Sequence, residues 1–244
     1  MVGKGNYDGA LKLIVEKNPL PFITGTICPH HCADKCTRHF YEESIRIRRA
    51  KLTAAQNGLD ALLKGLKPAE PNGKCVAVIG GGPAGMAAAF FLSRQGASVT
   101  LFEKRAALGG VVRWVIPEFR IGTEAIENDA KILAAMGVDI RLNTPAPNVD
   151  ALFAEGYTDL VYAVGAWAEG KMKLKKGEAM NVIRFLEESK AGTLEDLGEN
   201  VIVIGGGNTA MDAARAAVRT KGVRHVRSAE AENPATDLFF QRRL

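Results

Sequence analysis

Long apolar runs are missing from this 244-residue chain. Crossing a bilayer as a helix takes about 20 consecutive apolar residues, and no stretch comes near that. Met1–Asn6 also lacks the apolar centre of a secretory leader, so a cytoplasmic location is expected. Aromatic residues are few, at 7%, and the net charge is a mild +5 carried by scattered basic residues. A nucleic-acid surface calls for a concentrated basic stripe interleaved with aromatics, so neither nucleic acid nor membrane is expected as a partner. The basic bias can instead serve anionic cofactors, which the field of the protein attracts. Cysteine is scarce as well: four in all, three of them (Cys28, Cys32 and Cys36) within nine residues. Such crowding without an export signal points to metal rather than to a disulfide framework.

What the chain does have is the same glycine-rich construction twice, 125 residues apart. Val76-Ala77-Val78-Ile79 leads into Gly80-Gly81-Gly82-Pro83-Ala84-Gly85, and Val201-Ile202-Val203-Ile204 leads into Gly205-Gly206-Gly207-Asn208-Thr209-Ala210. Each apolar run reads as a strand and each turn opens a helix-like segment, so the repetition implies two dinucleotide sites. In the first turn Gly80 permits the tight bend, Gly82 lets the backbone approach a pyrophosphate, and Gly85 allows close helix–strand packing. The first amides of the helix and its dipole then face the phosphates. Glu103 ends the next strand, 18 residues past Gly85, where a carboxylate can accept both ribose hydroxyls. A bare β–α turn is the bland alternative.

Around these turns the pattern alternates. Tyr7–Asn18 reads as an amphipathic helix ended by Asn18-Pro19-Leu20-Pro21, and a second helix is expected from about Glu43 to Leu66. Lys67–Lys74 has linker composition. Then come strand Val76–Ile79, helix Pro83–Gln95, strand Ser98–Glu103, helix Thr123–Met136, strand Val138–Leu142 and strand Asp159–Val164. After a polar stretch follow helix Glu178–Lys190, strand Val201–Ile204, helix Asn208–Thr220 and strand Val223–Ser228. The tail from Ser228 to Leu244 has no period and no assignment. Such alternation predicts an α/β chain with doubly wound parallel sheet.

A second glycine pair, Gly109-Gly110, follows Glu103-Lys104, and the run Leu108-Gly109-Gly110-Val111-Val112-Arg113-Trp114-Val115-Ile116-Pro117-Glu118-Phe119-Arg120 extends it. This run resembles the flavin domain of the glutamate synthase small (β) subunit and of the N-terminal half of dihydropyrimidine dehydrogenase. The resemblance covers about Tyr7 to Val226. It implies a helical cysteine module over 1–70, an FAD-binding Rossmann-like domain over 71–170 and a partial NAD(P)H-binding domain over 171–244. It further implies FAD contacts from Gly81–Gly85, Glu103, Lys104, Gly109–Val111 and Arg120. Ala163-Val164-Gly165-Ala166 resembles the Ala-Thr-Gly turn of such flavoproteins, with valine in place of threonine, which puts Gly165 beside the cofactor.

Gly205-Gly206-Gly207-Asn208-Thr209-Ala210-Met211-Asp212 resembles the NADPH-binding turn of the same family. Alanine at the third glycine position leans towards NADP(H) over NAD(H). Arg227, on the strand expected after Gly222, is the candidate for the 2′-phosphate, since arginine pairs bidentately with phosphate. A solvated strand-end arginine is the equal alternative. Relatives have a longer strand there, ending in an aromatic residue and paired arginines. Ala229-Glu230-Ala231-Glu232-Asn233-Pro234-Ala235 resembles the stretch beyond that pair. The nicotinamide domain is therefore expected to be incomplete, and the chain short at both ends.

Thiolates at Cys28, Cys32 and Cys36 suit iron–sulfur clusters or zinc, with His30, His31 and His39 nearby as further zinc donors. A buried structural trio is the plain alternative. Asn18-Pro19-Leu20-Pro21-Phe22-Ile23-Thr24-Gly25 and the cysteine run resemble the segment that helps hold two [4Fe–4S] clusters in the glutamate synthase β family. By that resemblance Cys28 and Cys32 serve one cluster and Cys36 the other. Lys51 stands where relatives place a glutamine or glutamate ligand, and a protonated lysine cannot ligate. Three cysteines cannot close two clusters, so either another polypeptide donates the missing thiolates or the clusters are absent. Cys75 reads as a packed core residue.

Together these readings predict an NAD(P)H-dependent FAD oxidoreductase that passes electrons to iron–sulfur clusters and a larger electron-accepting subunit. No catalytic side chain is expected, because hydride transfer belongs to the cofactors. A flavin-binding fragment without independent turnover and a zinc-stapled module are the rival readings.

Overall fold

The first helix starts where Asn6 accepts the Gly9 amide through its side chain at 3.0 Å. The fold is that of a computed structural model, which describes residues 1–168, 178–230 and 233–240. Helix α1 spans Tyr7–Val15. It stops short of Asn18, whose side chain turns to Thr24 and to the Leu20 amide instead. Helix α2, Pro21–Ile27, starts at Pro21 itself, a first-turn position where the missing N–H is no loss. Read only as a helix stop, Pro21 concealed that start. Helix α3 is His31–Asp34 and α4 is Ile47–Gly65. Both α1 and α2 pack on α4, around the buried Leu11, Ala54, Ala55 and Leu62.

Beyond the linker the alternation becomes real. Strand β1 (Cys75–Ile79), helix α5 (Pro83–Arg94) and strand β2 (Ser98–Phe102) come first. Helices α6 (Val111–Trp114) and α7 (Thr123–Ala135) and strand β3 (Asp139–Arg141) follow. Helix α8 (Val149–Ala154) and strand β4 (Asp159–Tyr162) complete this part. The four strands form one parallel sheet in the order β3-β2-β1-β4. Central β1 buries Val76, Ala77 and Val78 consecutively, as a parallel strand covered on both faces does. Helix α5 packs on β1 and β2 and contributes the buried Met86 and Phe90. Removing a side chain of that size from water stabilises by about 1.5–3 kcal/mol.

In the remaining part, helix α9 (Val182–Ala191) precedes strand β5 (Asn200–Ile204), helix α10 (Asn208–Ala217) and strand β6 (His225–Glu230). Strand β7, Asn233–Phe240, adds antiparallel to β6, giving the order β5-β6-β7. The unassigned tail thus holds a strand. Helix α10 buries Ala210, Ala213, Ala214 and Ala217, small residues that allow close approach, and it packs on β5, β6 and α9. The polar stretch before Glu178 falls largely in 169–177, which lies outside the described residues, as do Ala231, Glu232 and 241–244.

The chain forms two compact units. One contains Met1–Arg113 and Arg120–Gly165, so the cysteine-bearing helices and the first sheet belong together. The other contains Ala166–Leu244 and also Trp114–Phe119. That short segment is held within its unit by Lys190, whose Nζ donates to the Ile116 carbonyl at 2.7 Å. The guanidinium groups of Arg215 and Arg219 lie 4.3 and 4.5 Å from the centre of the Phe119 ring. Among the described residues no helix is long and apolar enough to cross a membrane.

Candidate functional site

The strand order reverses at β1, and ligands of such sheets sit at the carboxyl ends of the strands beside that point. There the Gly80 amide donates to the Phe102 carbonyl at 2.9 Å, and the Ala163 amide to the Ile79 carbonyl at 2.8 Å. These bonds carry the chain out of β1 between β2 and β4. Gly80 takes φ +109, and a Cβ on it would lie 2.5 Å from the Ala163 oxygen. A Cβ on Gly85 would run into the Gly80 carbonyl. The structure therefore brings the first glycine turn against the Ala163-Val164-Gly165 turn, where Gly165 has φ +76.

The buried Glu103 carboxylate accepts the Gly81 amide through Oε2 at 2.7 Å and the Arg105 amide through Oε1 at 2.8 Å. Two charge-assisted bonds offset the desolvation of the carboxylate. Each oxygen keeps a lone pair for a ribose hydroxyl. The second glycine pair closes over the same turn. The Gly109 amide donates to the Gly81 carbonyl at 2.8 Å, and a Cβ on Gly110, at φ +52, would come 2.8 Å from Gly82 Cα. Gly81, Gly82, Gly109 and Gly110 thus form a backbone cradle that side chains would fill. The amino end of the 12-residue α5, with Pro83 and Ala84 in its first turn, opens on it. Val111 begins α6 directly after the cradle, Lys104 is exposed beside Glu103, and Arg120 is half-buried. This donor set fits the pyrophosphate and adenosine ribose common to dinucleotide cofactors, FAD among them.

Sequence reasoning missed Arg113, whose Nε donates to the Leu108 carbonyl at 2.6 Å and whose Nη2 lies 3.6 Å from Glu127. It braces the turn carrying Gly109 and Gly110. It also missed Asp129, a fully buried carboxylate that accepts the Phe22 and Ile23 amides at 3.0 and 2.8 Å. Burial pushes the Asp129 carboxyl up to about 7, against the downward pull of those two amides. An acid on the apolar stripe Ile126–Ile132 of a helix was the available signal.

The second turn repeats the frame. The Gly205 amide, at φ +128, donates to the Ala229 carbonyl at 2.7 Å, the counterpart of the bond from Gly80 to Phe102. Gly207 caps α10 with extended backbone, leaving the Asn208 and Thr209 amides at the helix start and Met211 in its first turns. Ala210 tolerates its Cβ here, 3.5 Å from where one on Gly205 would lie. Strand β6 runs past the expected end at Ser228. Arg227 accordingly sits within β6, in register with Ile202, and the position matching Glu103 is Glu230.

Cys28 caps the end of α2, Cys32 lies in α3 and Cys36 precedes the 3₁₀ turn Thr37–Phe40. All are free thiols, and Cys32 is exposed. Hydrogen bonds from the Ile45, Arg38 and His39 amides lower the pKa of Cys36 and favour its thiolate. Among the described residues no three histidine, cysteine or acidic side chains converge as a metal group. The donor chemistry suits iron–sulfur clusters, whereas three thiolates cannot close the two clusters that the resemblance implies.

Residues 74–233 match the model of the pyridine nucleotide-disulphide oxidoreductases, and residues 1–60 match that of dihydropyrimidine dehydrogenase domain II, 4Fe-4S cluster. The chain is 43% identical over 229 residues to the putative oxidoreductase YgfK of Escherichia coli, covering 91% of this chain and 22% of the relative. The β subunit of an NADPH-Fe(3+) oxidoreductase from Geobacter sulfurreducens is 32% identical, covering 87% of this chain and 33% of that subunit. The small chain of glutamate synthase [NADPH] from Bacillus subtilis is 28% identical, with 91% and 48% covered. The chain thus spans between about a fifth and a half of these relatives' lengths. Among solved structures a 2-naphthoyl-CoA reductase complex superimposes with TM-score 0.50 at 24% identity, over 74% of this chain and 26% of that one, a likeness of fold. With both models matched in tandem, the chain belongs to the pyridine nucleotide-disulphide oxidoreductases, in the glutamate synthase β-subunit and dihydropyrimidine dehydrogenase-like branch of FAD, NAD(P)H and iron–sulfur oxidoreductases.

Proposed function

We propose that this chain is an NAD(P)H-dependent FAD oxidoreductase module that passes electrons towards 4Fe–4S chemistry and a larger partner subunit in the cytoplasm. The observation that carries the flavin assignment is the Glu103 carboxylate joined to the Gly81 amide inside the double-glycine cradle. In this reading Gly81, Gly82 and the first amides of α5 bind the pyrophosphate, and Glu103 orients the ribose. Gly109, Gly110 and Val111 exclude water from the same wall, while Lys104, Arg120 and Gly165 line the cofactor. Bound FAD and a nicotinamide supply the hydride and single-electron chemistry themselves, and the chain supplies placement and electrostatics. Gly205, Gly207, Asn208, Thr209, Ala210 and Met211 form the nicotinamide turn. Cys28, Cys32 and Cys36 are this chain's share of the cluster ligands, with a partner polypeptide completing the set. A partner is supported by relatives whose names make them a β subunit or a small chain.

NADP(H) is favoured by Ala210 at the third glycine position alone, since Arg227 lies inside β6 and not at its end. A second reading, NADH, is favoured by the register that puts Glu230 level with the first glycine of its turn, as Glu103 is in the other unit. Purified anaerobically, the chain should show a flavin spectrum that bleaches on adding NADPH. Titration with NADPH and NADH side by side decides the donor. A colourless protein, or a yellow one inert to both, overturns the enzyme reading, and zinc without iron or sulfide overturns the cluster reading.

A further inference from the structure

Helix α2 leads directly into Cys28, and its start raises a question of hydrogen bonding. The first amides of a helix have no partner inside it and need an acceptor from elsewhere. Pro21 has no N–H, and the Thr24 amide is satisfied by the Leu20 carbonyl at 3.0 Å. Phe22 and Ile23 remain, both buried, and the residue in the capping position is Leu20, whose side chain has no acceptor. Asp129 takes both amides, one on each oxygen, at 3.0 and 2.8 Å. The cap that the local sequence omits is supplied from more than a hundred residues away.

Helix α7, which carries Asp129, also supports the flavin cradle. Ile126, one turn earlier, lies where its Cγ2 would be 2.8 Å from a Cβ on Gly109. One helix therefore touches the cradle through Ile126 and grips the start of α2 through Asp129. Five residues beyond Ile23, α2 ends at Cys28, whose amide closes on the Thr24 carbonyl at 3.2 Å. The Arg48 guanidinium holds the Cys28 carbonyl from the other side, at 2.9 Å.

We propose that Asp129 is a positioning residue that fixes the start of the cysteine helix against the flavin cradle, and so sets the separation between Cys28 and the flavin. Its relevance to electron transfer rests on the function proposed above, whereas the cap itself does not. Ion pairing has no part in the grip: the groups held are two neutral amides, so an acceptor of the right reach is what matters. Asparagine at this position keeps one acceptor oxygen and turns a donor towards the other amide. Alanine leaves both amides buried without an acceptor.

The test uses the full 244-residue chain. Amide hydrogen exchange is measured at Phe22 and Ile23 in the wild type, Asp129→Asn and Asp129→Ala. In a background with Cys32, Cys36 and Cys75 replaced, a dye on Cys28 reports energy transfer from bound flavin. Asp129→Ala should speed exchange at both amides by about tenfold or more. It should also lower the energy transfer, while flavin content is unchanged. Asp129→Asn should restore protection at one amide and recover part of the transfer. Unchanged exchange and unchanged transfer in Asp129→Ala would overturn the proposal. So would equal behaviour of the two variants. Should Asp129→Ala fail to fold, Asp129→Asn carries the same comparison, with selective loss at one amide expected. A chain that binds no flavin refutes the flavin reading, and the exchange at Phe22 and Ile23 still decides the cap.

Discussion

Glu103 and Gly81 stand 22 residues apart in sequence, yet the carboxylate of one accepts the amide of the other at 2.7 Å. The side chain that is to orient the ribose is thereby pinned to the loop that is to hold the pyrophosphate. Glu103→Gln keeps the shape, removes the charge and turns an amide nitrogen towards one of two N–H groups. Losing a charge-assisted bond of this kind costs about 1.5–3 kcal/mol, or about 10- to 100-fold in FAD affinity. Fluorescence titration of FAD into stripped protein measures it, and an unaltered dissociation constant would refute the assignment.

The two glycine turns should respond differently to an added methyl group. At Gly110 a Cβ meets φ +52 and the Gly82 backbone at 2.8 Å, and neither can yield cheaply. Gly110→Ala should lower stability by about 1–3 kcal/mol from backbone strain alone, and flavin should be lost with it. At Gly207 a Cβ meets open space. Gly207→Ala should leave the melting temperature where it is and, if the nicotinamide turn works as proposed, weaken only dinucleotide binding. Thermal melts of both variants with and without each dinucleotide separate these outcomes.

Asp129 makes stability depend on pH. The folded chain holds its proton up to about pH 7, whereas an unfolded aspartate releases it near 3.8. Between those values the folded state binds more protons. Stability is therefore greatest at the acid end of this window and falls as pH rises through it, levelling off above about 7. A single group contributes a slope of at most about 1.4 kcal/mol per pH unit. Asp129→Asn should abolish this slope in urea unfolding measured between pH 4 and 7. An identical pH profile in the variant would show that the carboxyl titrates normally.

Phe119, with the guanidinium groups of Arg215 and Arg219 against its ring, stabilises the unit that contains it. Cation–π attraction at an exposed site is worth about 0.5–1 kcal/mol per pair. Phe119→Leu keeps an apolar side chain and loses both pairs, so chemical denaturation should show a loss of about 1–2 kcal/mol. Arg215→Gln or Arg219→Gln alone should cost about half of that.

The sequence was most legible where local chemistry and tertiary structure agree. The apolar run Val76–Ile79, the glycines after it and Glu103 announced a strand, a turn and an acid beside it, and these meet in space. Pro21 misled because proline both ends and begins helices; only its packing on α4 and α7 decides which. Asp129 showed only as an acid on the apolar stripe of α7, and its partners stayed hidden because they are backbone amides, which every residue but proline has. Arg227 was placed near the end of a strand expected to stop at Ser228, and the extra residues of β6 put it inside the strand. The tail gave no periodicity because β7 takes its place by pairing with β6 rather than from its own pattern.

The course of the chain through Trp114–Phe119 bears on how it can be divided. The polypeptide passes from one unit to the other after Arg113, returns after Phe119 and passes again after Gly165. A fragment beginning at residue 166 would contain most of the second unit and lack Trp114–Phe119. Arg215 and Arg219 would lose their ring, and Lys190 its carbonyl acceptor. A boundary drawn at residue 166 therefore divides the second unit rather than isolating it.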